Sequence, residues 1–188
     1  MDHQVKKPGR IEFAGVIDRS TPARFRDAVT KAAGLPLHVF IDSIGGGARE
    51  AEDIFQMLRA HDSNVLTVVD GQADSAAVLI FLAGHTRVIE QQSTLLIHEP
   101  TTRADQVAIV GAEKAARDIA AVRQFLVDRF SVVTGLPQLQ ISDMMCAATR
   151  INAAEAVRLR FAHAIASREN KFPNSVSIGV SSNFGLRR

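Results

Sequence analysis

The sequence predicts an α/β domain built on a largely parallel sheet, and three observations lead there. LHVFI at 37–41 and VLTVV at 65–69 are apolar on both parities, as strands buried on both faces must be. Amphipathic or wholly apolar helical stretches alternate with these runs, which is the pattern of crossover-connected strands. Each of the two runs leads into a small polar or glycine-rich corner, IDSIGGG at 41–47 and GQADS at 71–75.

Residues 1–9 read as a short arm ending in Pro8-Gly9, with one domain over 10–188. IEFAGVI at 11–17 is a strand candidate. In RSTPARFRDAVTKAAG, Thr21 can cap a helix, Pro22 suits its first position, and Gly34 stops it; Phe25, Ala28, Val29 and Ala32 share one face. After the strand at 37–41, residues 48–60 form a helix that turns Ala51, Ile54, Phe55 and Leu58 inward. The strand at 65–69 leads through GQADS into the apolar helix 76–83. Short strands follow at 86–89 and 95–97, the second delivering His98.

From about Asp105 to Val133 runs one long helical pattern, with Ile109, Ala112, Ala116, Ile119, Val122, Leu126, Phe130 and Val133 at spacings of three or four. A helix this long on a small core needs a second surface to pack on, and a neighbouring subunit can supply it. Gly135-Leu136-Pro137 closes it, and 139–146 is a further short helix. Another helix spans 152–160, with Asn152 and Glu155 spaced as a capping box. FAHAIA at 161–166 reads as a last strand or as an extension of that helix, and SVSIGVSSNFGLRR as a strand or an adhesive tail.

Composition narrows the functional classes. The 188 residues carry a net charge of +2 and scattered basic residues, which argues against a phosphate-tracking groove and a nucleic-acid partner. With no Trp and no Tyr, the usual stacking platforms for bases and sugars are missing. The longest apolar run, 76–83, is too short to span a bilayer, so no membrane role is expected. A single cysteine, Cys146, and an N-terminus without an apolar signal core fit a reducing, cytoplasmic setting. The six histidines have no close metal-ligand spacing, and neither metal nor cofactor is expected.

The chemistry-bearing residues lie at the corners. Ser75, between an apolar strand and an apolar helix, reads either as a helix cap or as an exposed nucleophile with small neighbours Ala73, Ala76 and Ala77. Asp74 reads as an exposed turn residue. Gly45-Gly46-Gly47 is a flexible turn or a nest of amides able to hold an oxyanion. No Lys-Ser/Thr pair follows it, so it is not a phosphate loop. His98, at the mouth of a strand, is placed to meet a serine on a neighbouring loop; His38, His61, His85 and His163 read as structural. A serine, a histidine and free amides are most of what acyl transfer needs.

Taken together, IDSIGGG, GQADSAA and LLIHEP resemble, in that order, the oxyanion, nucleophile and histidine segments of the Clp protease proteolytic subunit family, of the ClpP/crotonase superfamily. TG at 134–135 and INAAEAV at 151–157 continue the likeness, which covers residues 10–165. The resemblance implies a ClpP/crotonase-like fold, with a parallel βαβ core and the long helix as an oligomerisation handle. It implies Ser75 as nucleophile, His98 as general base, and the amides of Gly46 and Ala76 as oxyanion donors. The family's acidic triad member falls on Ala148, so this chain departs from the pattern. Asp143 and Asp128 are the nearest carboxylates and neither matches; a backbone carbonyl, a water or, after a local shift, Asp143 could orient His98 Nδ1 instead. Ile44 replaces the family's proline, Ala76 its methionine, and TTRADQ at 101–106 its glycine-rich substrate-gripping strand.

The implied activity is serine endopeptidase action on peptides or unfolded proteins inside a homo-oligomer of stacked rings, heptameric in the family pattern. The short segment before the first strand argues against the axial loops that face a Clp-type ATPase partner. Two other readings stand beside this one: a catalytically weakened or inactive assembly subunit, motivated by Ala148, and a crotonase-like acyl-CoA enzyme sharing the glycine-rich oxyanion loop.

Overall fold

A computed structural model of the chain describes residues 7–102, 107–108 and 110–166, together with the backbone of 176–177 and 180–181. The elements in chain order are β1 (Gly9–Ile17), α1 (Thr21–Lys31), β2 (Leu37–Gly46), α2 (Ala48–Arg59), β3 (Val65–Asp74), α3 (Ala77–Leu82), β4 (Thr86–Glu90) and β5 (Thr94–Ile97). They continue with α4 (Ala112–Thr134), α5 (Gln138–Cys146), β6 (Thr149–Asn152), α6 (Ala153–Arg158), β7 (Ala164–Ala166), β8 (Val176–Ser177) and β9 (Val180–Ser181). The expected arm falls mostly outside the described residues, as do Ile109 and positions 103–106 of TTRADQ; Gly9 already belongs to β1.

The central ladder is parallel, β1 on β2 on β3, with β4 and β5 both pairing β3. β4 takes the lower half of β3, from Leu66 to Val69, and β5 the upper half, from Gln72 to Asp74. The sheet therefore splits at Asp70-Gly71, and Ser75 emerges beside β5. One face carries the helices: Ile11, Phe13, Val39, Ile41, Val69 and Ile89 are buried with Phe25 of α1, with Ile54 and Leu58 of α2, and with all of α3. AVLIFL is apolar all round because α3 is enclosed on every side. The opposite face holds a smaller cluster of Phe40, Leu66 and Val68, with the Arg10 guanidinium 3.5 Å from the Phe40 ring centroid.

Several expectations shift. β2 and β3 run on through the polar corners to Gly46 and Asp74, because both corners stay paired with a neighbouring strand, β2 with β1 across a one-residue shift that skips Ile44 and β3 with β5. The first helix begins after Ser20, which makes no side-chain cap. Asp18 does that work, accepting from the Ser20 and Thr21 amides at 2.8 and 3.1 Å; the Ser20 hydroxyl, donating at 2.7 Å, and then the Ser20 amide hold its carboxyl below the ordinary range. The long helix α4 starts at Ala112, behind a break at Gly111 with φ 82°; Val107, Ala108 and Val110 are helical ahead of that break, and Asp105 lies outside the described residues. FAHAIA resolves into a strand, Ala164–Ala166 pairing β4. The capping box forms as expected: Glu155 N–H donates to Asn152 Oδ1 at 3.0 Å and Asn152 N–H to Glu155 Oε2 at 3.2 Å. β6 is new, a four-residue strand running antiparallel to β5.

Candidate active site

Ser75 sits in the two-residue turn between β3 and α3 with φ 56°, the left-handed region that a non-glycine residue seldom enters. Both backbone groups are anchored. Its N–H donates to Leu96 O of β5 at 2.7 Å, and its carbonyl accepts from Val78 N–H at 3.1 Å. The α3 N-cap position is Ala76, without a side-chain cap bond, so Ser75 is not the helix cap. Its side chain is held out on a strained corner.

The glycine loop is packed against that corner. A Cβ on Gly45 would lie 2.4 Å from Asp74 O, 2.9 Å from Ser75 Cβ and 3.2 Å from the Ala76 nitrogen. Gly45 has φ 88° and Gly46 φ 144°. A side chain on Gly46 would run into Ile17 O, 2.2 Å away. Ser43 shapes the turn from inside, donating to Gly15 O at 2.6 Å and accepting from Gly45 N–H at 3.1 Å. Gly47 N–H is taken by Ile17 O at 2.9 Å. That leaves Gly46 as the glycine amide outside these turn bonds, and the Ala76 N–H has no acceptor among the described residues. Asp42 locks the two motifs together: its Oδ1 accepts from Gln72 N–H at 3.1 Å and fills the space where Gly71 lacks a side chain.

His98 follows β5 and is half-buried. Its Nδ1 lies 2.7 Å from the carbonyl of Glu99. A carbonyl can only accept, so Nδ1 is the donor, and in the neutral ring this leaves the lone pair on Nε2. No hydrogen bond joins His98 to Ser75 Oγ among the described residues. The Glu99 carboxylate is held by Arg123 of α4, whose Nε is 2.8 and 3.0 Å from its two oxygens. Arg123 Nη2 also donates to Ser142 Oγ of α5.

The β5–β6 register pairs Thr94 with Asn152 and Ile97 with Thr149, so the next step sets Ala148 opposite His98. Ala148 has φ 48°, a conformation that Asp and Asn tolerate better than Ala. Asp143 is exposed on α5, and Asp128 accepts from Gln124 and Gln138 at 2.8 and 2.9 Å. Neither replaces the Glu99 carbonyl at Nδ1. Asp74 is only 8% exposed rather than a free turn residue, and pairs with Arg150 of β6 at 3.4 Å. Arg150 also donates to Thr94 Oγ1 at 2.9 Å, bracing the strand that leads to His98.

The other described histidines hold structure. His85 Nδ1 accepts from Val65 N–H at 3.1 Å and His163 Nδ1 from Arg87 N–H at 3.2 Å, while His61 Nε2 lies 2.8 Å from Leu35 O. Burial holds His38, His85 and His163 below the usual imidazole range. Asp42, Asp70 and Glu90 follow paired positions on adjacent strands. Loss of water, then repulsion from Glu90 and Asp42, pushes the Asp70 carboxyl up to about 6. Among the described residues no three His, Cys, Asp or Glu side chains are grouped to hold a metal. Nor is any described helix long and apolar enough to cross a membrane.

A strained serine packed over a glycine loop, with a histidine just past the end of the neighbouring strand, is the arrangement the fold brings together. The Clp protease family model matches residues 29–169, and the chain belongs to that family. An ATP-dependent Clp protease proteolytic subunit 2 from Borreliella burgdorferi is 34% identical over 110 residues, 55% of this chain and 56% of that protein. The subunit 2 of Treponema denticola is 28% identical over 144 residues, 76% of this chain and 72% of that protein. The subunit 1 of Corynebacterium glutamicum is 30% identical over 105 residues, 55% of this chain but only 50% of that protein. The chain thus aligns with about half the length of most of these relatives. A solved ClpP1 mutant from Listeria monocytogenes superposes with a TM-score of 0.75 at 21% identity, covering 85% of this chain and 92% of that one, and shares the fold.

Proposed function

We propose that the chain is a serine endopeptidase of the Clp type, cleaving peptides or unfolded protein. The observation that carries this is the packing of Gly45 onto the Ser75–Ala76 corner, which sets two loops where a nucleophile and its oxyanion donors belong. His98 Nε2 takes the Ser75 Oγ proton as Oγ attacks the peptide carbonyl. Gly46 N–H and Ala76 N–H receive the oxyanion, and His98 returns the proton to the leaving amine. Water then hydrolyses the acyl-enzyme with the same base. The Ser75–His98 hydrogen bond closes in the substrate complex, where such contacts commonly tighten.

The Glu99 carbonyl supports this reading by holding the tautomer the reaction needs. A backbone carbonyl stabilises an imidazolium less than a carboxylate does, so a slow enzyme is expected. Fluorogenic peptide hydrolysis by the assembled protein, with fluorophosphonate labelling that disappears in Ser75→Ala, tests the assignment. Labelling that persists in Ser75→Ala refutes it.

Ala148 opposite His98 favours a second reading, an assembly subunit with degraded chemistry; absence of hydrolysis and labelling in an intact oligomer selects it. Either reading includes stacked rings, heptameric in the family pattern. Val132 on α4 and Leu139 on α5 are 78% and 73% exposed, apolar surface that a neighbouring subunit would cover. A solution mass near 20.4 kDa would rule the rings out. The single, exposed Cys146 suits a reducing cytoplasmic setting.

A further inference from the structure

We propose that Arg123, on the long helix α4, is a positioning residue for the His98 base, acting through Glu99; the inference rests on the peptidase reading above. The relay has three links. His98 Nδ1–H donates to Glu99 O at 2.7 Å. Glu99 Oε2 and Oε1 accept from Arg123 Nε at 2.8 and 3.0 Å. Arg123 Nη2 donates to Ser142 Oγ, which fixes the guanidinium against α5.

The relay matters because β5 ends at Ile97 and residues 98–100 belong to no helix or strand. The direction of the Glu99 carbonyl is then set by its own backbone torsions. Pro100 confines Glu99 to extended conformations, which narrows those torsions without settling them. The ion pair across to α4 supplies the remaining constraint, since the charge-assisted contacts tether the side chain of the residue whose carbonyl is used. In a full triad a carboxylate holds Nδ1 directly. Here Ala148 has no such group to offer, and the job passes to a peptide carbonyl steered from a helix on the other side of the site. If α4 is the handle between rings, subunit contact and base orientation are joined through one arginine.

The test separates this claim from the peptidase reading. Solid-state ¹⁵N spectra of the histidine-labelled, assembled protein, with His98 identified by difference against His98→Asn, report which ring nitrogen is protonated. The wild type is expected to show His98 as the Nδ1–H tautomer. Arg123→Gln is expected to give a mixture of both tautomers and to lower kcat about tenfold with KM within about twofold. Arg123→Lys, which keeps the charge, should restore most of both. Solution mass and Tm confirm that each variant assembles. An unchanged His98 nitrogen spectrum in Arg123→Gln overturns the proposal, even if kcat falls. If the wild type neither hydrolyses peptide nor labels at Ser75, the peptidase reading fails by itself, while the spectra still decide what Arg123 does.

Discussion

The Ser75 corner and the His98 corner lie on neighbouring strands, yet they are built to different standards. Around Ser75 the backbone is specified atom by atom. Gly45 and Gly46 have positive φ and no room for a Cβ, Ser43 pins the turn, and Asp42 clamps Gly71-Gln72. Around His98 the β5–β6 ladder leads to Ala148, which has no acid to offer, and the partner of Nδ1 is a peptide carbonyl. The difference reflects what each device is made of. An oxyanion hole consists of backbone, so it survives side-chain drift so long as the glycines remain. A triad acid is one side chain and can disappear in a single substitution.

The harshest test of this contrast is Ser75→Ala. Peptide hydrolysis should fall by about 10³-fold or more, with assembly intact, because a nucleophile has no backbone substitute. Residual hydrolysis close to wild type would break the assignment of that corner. Next comes Gly45→Ala, which needs a Cβ 2.4 Å from Asp74 O on a backbone at φ 88°. A loss of about 10²-fold in kcat and a Tm lower by about 5–10 °C are expected, read by kinetics and calorimetry. A tolerated Gly45→Ala would mean that the corner is looser than the contacts imply.

On the base side the expected change is a gain. Ala148→Asp puts a carboxylate opposite His98 on a backbone already in the left-handed region. We expect kcat to rise about tenfold or more, a part of the roughly 10⁴-fold that a serine-protease template loses without its aspartate. The same variant should make hydrolysis less sensitive to Arg123→Gln. No gain would show that the base corner is limited by something other than its third member.

The smallest effect lies under the site and depends on pH. The Asp70 carboxyl titrates at about 6 in the fold against 3.8 as its ordinary value, so the folded state binds the proton more tightly than the unfolded one. Stability from this group is full below about 4 and is lost as pH rises through about 6. Asp70→Asn should therefore raise Tm at pH 7.5 and leave it nearly unchanged at pH 4, as thermal melts at both pH values would show. An equal shift at both would remove the link to the Asp42–Asp70–Glu90 row.

Much of this was legible in the chain. LHVFI and VLTVV announce buried strands, and IDSIGGG, GQADS and LLIHEP name the three corners that meet at the site. What escaped were features without a local signal. TRIN at 149–152 is too short to show a period of two, so β6, and with it the seat of Ala148 opposite His98, stayed hidden. Asp74 looked exposed because its partner Arg150 is 76 residues away. The Glu99–Arg123 pair spans 24 residues and two elements, and nothing in either neighbourhood marks it.

By itself the sequence determined the residue types and their order: which runs are apolar enough to be strands, where glycine allows a loop, and that position 148 holds no acid. Those properties belong to single residues and their near neighbours. Tertiary structure alone decided that Ser75 is strained rather than capping, that His98 Nδ1 bonds to the Glu99 carbonyl, and that a helix-borne arginine reaches Glu99. Each depends on strands and helices brought together across the chain, where a 3 Å hydrogen bond forms without regard to distance in sequence. The GQADS corner holds its strained shape because β5 anchors one end of it and the glycine loop leaves no space at the other.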